Sequence, residues 1–178
     1  NSNHFRSQET RFAKVKSPAE VVVSTLHLLG DFKFPKRTIF ETALGCRYMG
    51  QDLLNPPSVE GWHTGEEWID SGSLVERVNF VADQVGNIKQ PGVRAIVDVL
   101  LESPTELDPA SIIDGCLELM GHVQLHSENK EHLSAQIRAM LEKRRSLTPG
   151  SLEVRDLTQK TILHAMKMIG STREYQFA

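Results

Sequence analysis

Apolar side chains recur along this chain at three- and four-residue spacings, in short runs that open on a capping residue and often close on glycine. That pattern predicts amphipathic helices. Ser17-Pro18-Ala19-Glu20 opens the first: Ser17 caps, Pro18 suits the first helical position, and Glu20 completes a capping box. Its stripe runs through Val22, Leu26 and Leu29, and Gly30 suits the left-handed residue that stops it. Asp31 to Pro35 reads as a connector whose Phe32 and Phe34 plug into the core. A second helix follows Pro35, with Ile39, Phe40, Ala43, Leu44 and Met49 as its stripe.

Further along, Ser73-Leu74-Val75-Glu76 reads as another capping box, followed by Val78, Val81, Ala82 and Val85 in register with Leu74. Pro91 begins a helix with Val93, Ile96, Val97 and Leu100 on one face, and Asp108-Pro109 begins one with Ile112, Ile113, Cys116, Leu117 and Met120. Ser127 is expected to cap a helix bearing Leu133, Ile137, Met140 and Leu141, whose basic end at Lys143, Arg144 and Arg145 favours the negative end of the helix dipole. Pro149-Gly150 marks a turn, and the last helix carries Val154, Leu157, Ile162, Ala165, Met166 and Ile169.

Helices this short are marginal alone, so their stripes must be buried against one another. No period-two alternation is long enough for a sheet. The expected fold is all-α: a compact bundle of about six to eight short helices with one long Gly/Pro/Trp-rich loop, in a single helical domain over residues 1–178.

A hydrophobic fraction of 39% and a charged fraction of 24% exclude a disordered or low-complexity chain. A net charge of -3 leaves no basic surplus for nucleic acid, and no apolar run is long enough for a membrane span. Two cysteines exclude a disulfide scaffold. Cys46 and Cys116 lie in helical patterns and read as buried thiols, with a single disulfide as the alternative. The chain opens on Asn1 with no apolar leader and reads as a fragment of a longer protein.

Catalytic signatures are missing. There is no Gly-x-Ser-x-Gly turn and no phosphate-cradling glycine loop. His122, His126 and His132 share no helical face, and His27 and His164 read as ordinary helix residues. No metal or cofactor is expected, because the candidate ligands never reach four at a usable spacing. The region from Gly50 to Gly72 stands apart: it holds Pro56-Pro57, four glycines at 50, 61, 65 and 72, and both tryptophans. Trp62, His63, Glu66, Glu67, Trp68 and Asp70 together are the candidate binding residues, since indoles flanked by acids can grip sugars by stacking and hydrogen bonding. The competing reading is that the indoles pin an irregular segment onto the bundle, offsetting its ordering entropy.

The same residues carry a resemblance. Met49-Gly50-Gln51, Asn55-Pro56-Pro57-x-Val59-x-Gly61-Trp62, Trp68-Ile69-x-Ser71 and Leu74-x-x-Arg77-x-Asn79-Phe80 resemble the C-terminal part of a large bacterial family catalogued as domain of unknown function 1800. Phe12-Ala13-Lys14-Val15-Lys16-Ser17-Pro18-x-Glu20 and Ser171-x-Arg173-Glu174-Tyr175-Gln176 fit it too, while His63-Thr64 replaces a shorter turn. The resemblance implies no catalytic residue. It implies an exported parent protein, in a periplasmic, envelope or secreted setting, with a second exported protein as a possible neighbour. Two functions are therefore expected to compete. One is a non-enzymatic structural or protein-interaction module, partnered by the rest of its parent chain or another exported protein. The other is part of an enzyme or binding protein acting on envelope polysaccharide or glycoconjugate through the 50–73 loop.

Overall fold

The computed structural model describes residues 13–30, 38–69, 71–102, 107–121, 123–148 and 151–177. Phe12, Phe32, Phe34, Asp70, His122 and Pro149-Gly150 lie outside them. Among the described residues there are seven α-helices: α1 (Pro18–Leu29), α2 (Thr38–Tyr48), α3 (Ser71–Val85), α4 (Pro91–Glu102), α5 (Pro109–Leu119), α6 (Ser127–Arg145) and α7 (Leu152–Gly170). Single 3-10 turns occupy Gly65–Ile69 and Glu174–Gln176. The only strand-like pairings among the described residues are isolated bridges, so the fold is an all-α bundle. No helix among them is long and apolar enough to cross a membrane.

The bundle is organised around α7, which packs against α3, α4, α5 and α6. Its buried face reads Thr158, Thr161, Ile162, Ala165, Met166 and Ile169. The two threonines tolerate burial because each hydroxyl donates within its own helix, Thr158 to the Val154 carbonyl at 2.7 Å and Thr161 to the Leu157 carbonyl at 2.8 Å. The expected stripe of α4 is buried in full, as are Ile112, Ile113 and Cys116 of α5 and Leu133, Ile137 and Leu141 of α6. Close approach is set by Gly92, where a Cβ would lie 2.0 Å from the Leu28 carbonyl oxygen; any side chain there would push α4 off α1.

Local capping signals hold where they are self-contained. Ser17 Oγ accepts from Glu20 N at 3.3 Å while the Glu20 carboxylate accepts from Ser17 N at 2.7 Å, and Asp108 accepts from Ser111 N at 2.7 Å. Gly30 takes the left-handed conformation that ends α1, at φ 66. Three expectations are corrected. First, α2 buries its predicted stripe only in part: Met49 goes inward as expected, joined by Cys46 and Val22, and Ala43 and Leu44 are half-buried, but Ile39 and Phe40 are exposed. Among the described residues α2 packs chiefly on α1 and α3, and it is buried toward its C-terminal end, at Cys46. Second, Ser73 does not cap α3. The helix starts at Ser71, so the Ser73 hydroxyl lies inside its first turn and donates back to the Trp68 carbonyl at 2.9 Å. Third, Ser127 is already helical, and the His126 side chain at the cap position makes no capping bond. Glu174 takes over that task from the far end of the chain.

Candidate functional site

The segment after α2 folds back through two tight turns. Asn55 N donates to the Asp52 carbonyl at 3.1 Å, and Gly61 N donates to the Ser58 carbonyl at 3.1 Å. Between them, Trp62 Nε1 donates to the same Asp52 carbonyl at 3.1 Å, closing the loop on itself. Gln51 is almost fully buried and accepts from Ala19 N at 2.8 Å, so the loop satisfies one of the orphan donors at the start of α1. Leu54 stands at φ 64, a backbone conformation that favours glycine or asparagine, yet it is 95% exposed.

The sequence-predicted residues divide into two groups. Trp68 is buried at 5% exposure, and its backbone carbonyl is tied down by Ser73 and Arg77. Trp62 is half-buried with its N–H engaged. Glu66, Glu67 and His63 lie on the outer side of the 3-10 turn, all exposed. His63 Nδ1 sits 3.4 Å from Glu67 Oε2, which also accepts from Thr64 N at 3.1 Å, and the His63 ring stands edge-on to Trp68 at 6.0 Å. Asp70 lies outside the described residues. Trp68 thus plays the anchoring part that the loop's composition suggested.

Sequence reasoning missed a polar clasp beneath this loop. Arg77, at 0% exposure, sends Nε to Gln176 Oε1 at 3.1 Å, one terminal nitrogen to the Trp68 carbonyl at 3.3 Å and the other to the Lys16 carbonyl at 2.6 Å. Burial pulls its guanidinium down to about 10, still charged at neutral pH. Lys16 N donates to the Gln176 carbonyl at 3.0 Å, and an isolated antiparallel bridge joins Val15 to Phe177. Lys16 Nζ donates to the Tyr175 carbonyl at 2.8 Å and lies 4.9 Å above the Tyr175 ring. Burial, and then the charge of Arg77, lower the pKa of the Lys16 amine.

Glu174 completes the region. Its carboxylate accepts from His126 N at 2.8 Å and from Asn129 Nδ2 at 2.9 Å, sealing the start of α6. Burial alone would push Glu174 up; the His126 N–H and the Asn129 amide outweigh it and hold the carboxyl below its usual range. Apart from Arg77, which interrupts the apolar pattern of α3, the clasp residues lie in extended or 3-10 segments outside the helical stripes, so periodicity could not flag them. Their only signal was the motif resemblance.

Two clefts border these elements. One, of about 370 Å³, is lined by Lys16, Ser24, Met120, Val123, Glu174 and Tyr175, among others. The other, of about 410 Å³, lies between α1, α2 and α3, with Glu41, Glu76, Phe80 and Asp83 among its lining residues. Neither takes a lining residue from 51–73. Among the described residues no three His, Cys, Asp or Glu side chains gather as metal ligands, and Cys46 and Cys116 are buried free thiols, that of Cys116 pushed up to about 12 by burial.

No curated protein and no solved structure matches this chain. A family model does, over residues 1–177, and it takes in every segment that meets at the clasp: Lys14 to Ser17, Trp68, Arg77 and Arg173 to Gln176. The chain therefore belongs to the family described as Protein of unknown function (DUF1800).

Proposed function

We propose that this chain is a non-enzymatic helical module of a larger exported bacterial protein, and that it docks a partner through α2 and the turns that follow it. The observation that carries this reading is Leu54, held at φ 64 on a turn tip and left 95% exposed. A polar Asn or Gly would fit that backbone at less cost, so the leucine is paid for elsewhere than in folding. Phe40, 70% exposed, and Ile39, Tyr48, Leu53 and Val59 add further large apolar side chains on the same stretch of chain. Large apolar side chains exposed in such number along one stretch of chain are a mark of contact surfaces. Glu41, Glu60, Glu66 and Glu67 are exposed along the same stretch, which favours a partner with an apolar groove and a basic rim.

The competing reading, a loop that grips envelope glycan, requires a free indole face. The inward position of Trp68 and the engaged N–H of Trp62 weigh against it. Photo-crosslinking separates the two. A benzophenone side chain at position 40 or 53, in the cell of origin, is expected to give one protein adduct of defined mass, while the same group at exposed position 160 on α7 gives none. Equal yields at all three positions, or adducts to glycan alone, would overturn the docking reading.

A further inference from the structure

We propose, resting on the docking reading above, that the partner inserts a basic side chain, arginine or lysine, into the cleft between α1, α2 and α3. The first argument is charge complementarity. Glu41, Glu76 and Asp83 line this cleft of about 410 Å³, and no Lys, Arg or His lines it with them. All three are exposed, and none of the three carboxylates forms a hydrogen bond or ion pair among the described residues. A concavity lined by charge of one sign focuses its field outward and draws in the opposite sign.

The second argument is the lining. Its buried members, Leu29 and Met49, are apolar, and Leu26 and Phe80 are half-buried. An arginine or lysine side chain has the matching build: an aliphatic stem for the apolar residues and a cationic head for the carboxylates. A bare metal ion fits less well. It would leave the apolar lining unused, and these carboxylates do not gather as a set of metal ligands.

The third argument is continuity. Glu41 and Tyr48 of the cleft belong to α2, the helix whose exposed Ile39 and Phe40 are part of the docking stretch. A segment bound along α2 therefore has the cleft within the same contact. That selects a partner's side chain over a free small cation, which would have no use for Ile39 or Phe40.

The test has two arms. In the first, the 178-residue chain is titrated with butylguanidinium at low ionic strength and followed by amide chemical shifts. Saturable shifts are expected at Gly45, Asn79 and Asp83, with the neutral isostere N-butylurea roughly fivefold weaker. The double variant Glu76→Gln with Asp83→Asn should erase that preference; both positions are exposed, so the fold stands. In the second arm, the benzophenone at position 40 is combined with the same double variant in the cell of origin. Its adduct yield should fall roughly fivefold, while Glu60→Gln, outside the cleft, leaves the yield unchanged. If butylguanidinium does not saturate, or N-butylurea matches it, the basic side chain is ruled out and the docking reading stands. An undiminished adduct in the double variant has the same meaning. Saturation by butylguanidinium with no adduct at position 40 or 53 would make a free cation the occupant and overturn both readings.

Discussion

Replacing Arg77 by alanine tests the clasp most directly. The side chain is fully buried and supplies three hydrogen bonds. Its loss does not orphan the Trp68 carbonyl, which keeps the Ser73 hydroxyl as a donor. It does strip the side-chain donor from the Lys16 carbonyl and from Gln176 Oε1, and Gln176 is only 2% exposed. Two stranded acceptors at about 1–3 kcal/mol each give an expected loss of about 2–6 kcal/mol. For a chain of this size even the lower end corresponds to a fall of about 4–8 °C in melting temperature. Urea unfolding followed by circular dichroism measures the loss. The double variant Arg77→Met with Gln176→Leu should cost less than the sum of its parts, by about 0.5–3 kcal/mol, because the second change removes the acceptor that the first strands. If Arg77→Ala stays within about 0.5 kcal/mol of wild type, the range of ordinary surface changes, the clasp is not what holds these segments together.

Three other outcomes follow from the geometry. Trp68→Ala should cost about 3–5 kcal/mol, as large aromatic truncations in cores do, while Trp62→Ala, half-exposed, should cost clearly less; equal losses by chemical denaturation would contradict the anchoring role of Trp68. Since the Glu174 carboxyl is held below its usual range in the fold, its contribution is present above the unfolded value of about 4.3 and is lost as pH falls through the lower folded one; melts from pH 6 to pH 3 should show a smaller acid-induced drop in Glu174→Gln than in wild type. Leu54→Asn should stabilise the chain by about 1 kcal/mol by relieving a left-handed leucine, and a lower melting temperature would show that the leucine makes contacts worth more than its strain.

How much of this was legible in the sequence depends on how far apart the partners lie. The Ser17–Glu20 box and the Asp108 cap span three residues each, and they formed as read. Buried faces were legible wherever a helix is covered along its length, as in α4. They were not legible in α2, because the spacing of Ile39 and Phe40 cannot report that no described helix lies over them. Ser73 misled because a capping box has the same residues whether or not a 3-10 turn runs into the helix ahead of it. The true partner of the α6 start, Glu174, is 48 positions from His126, beyond the reach of any local pattern. Arg77 is the sharpest case. In the α3 stripe it sits one turn before Val81 and reads as a polar interruption, while Leu74, expected to face inward, is partly exposed. Of the loop, the anchoring indole was foreseeable from composition, but which of the two would turn inward was not.

The clasp also bears on the order of folding events. Lys16 N meets the Gln176 carbonyl, and 159 positions separate Lys16 from the Tyr175 carbonyl its side chain holds. Closing so long a loop is entropically affordable only once the intervening helices are already packed on α7. The clasp should therefore form after the rate-limiting barrier of folding, and substitutions in it should leave the refolding rate nearly unchanged while accelerating unfolding. Its contribution would then be to the lifetime of the native state: a latch that sets how long the bundle stays shut without deciding how fast it closes.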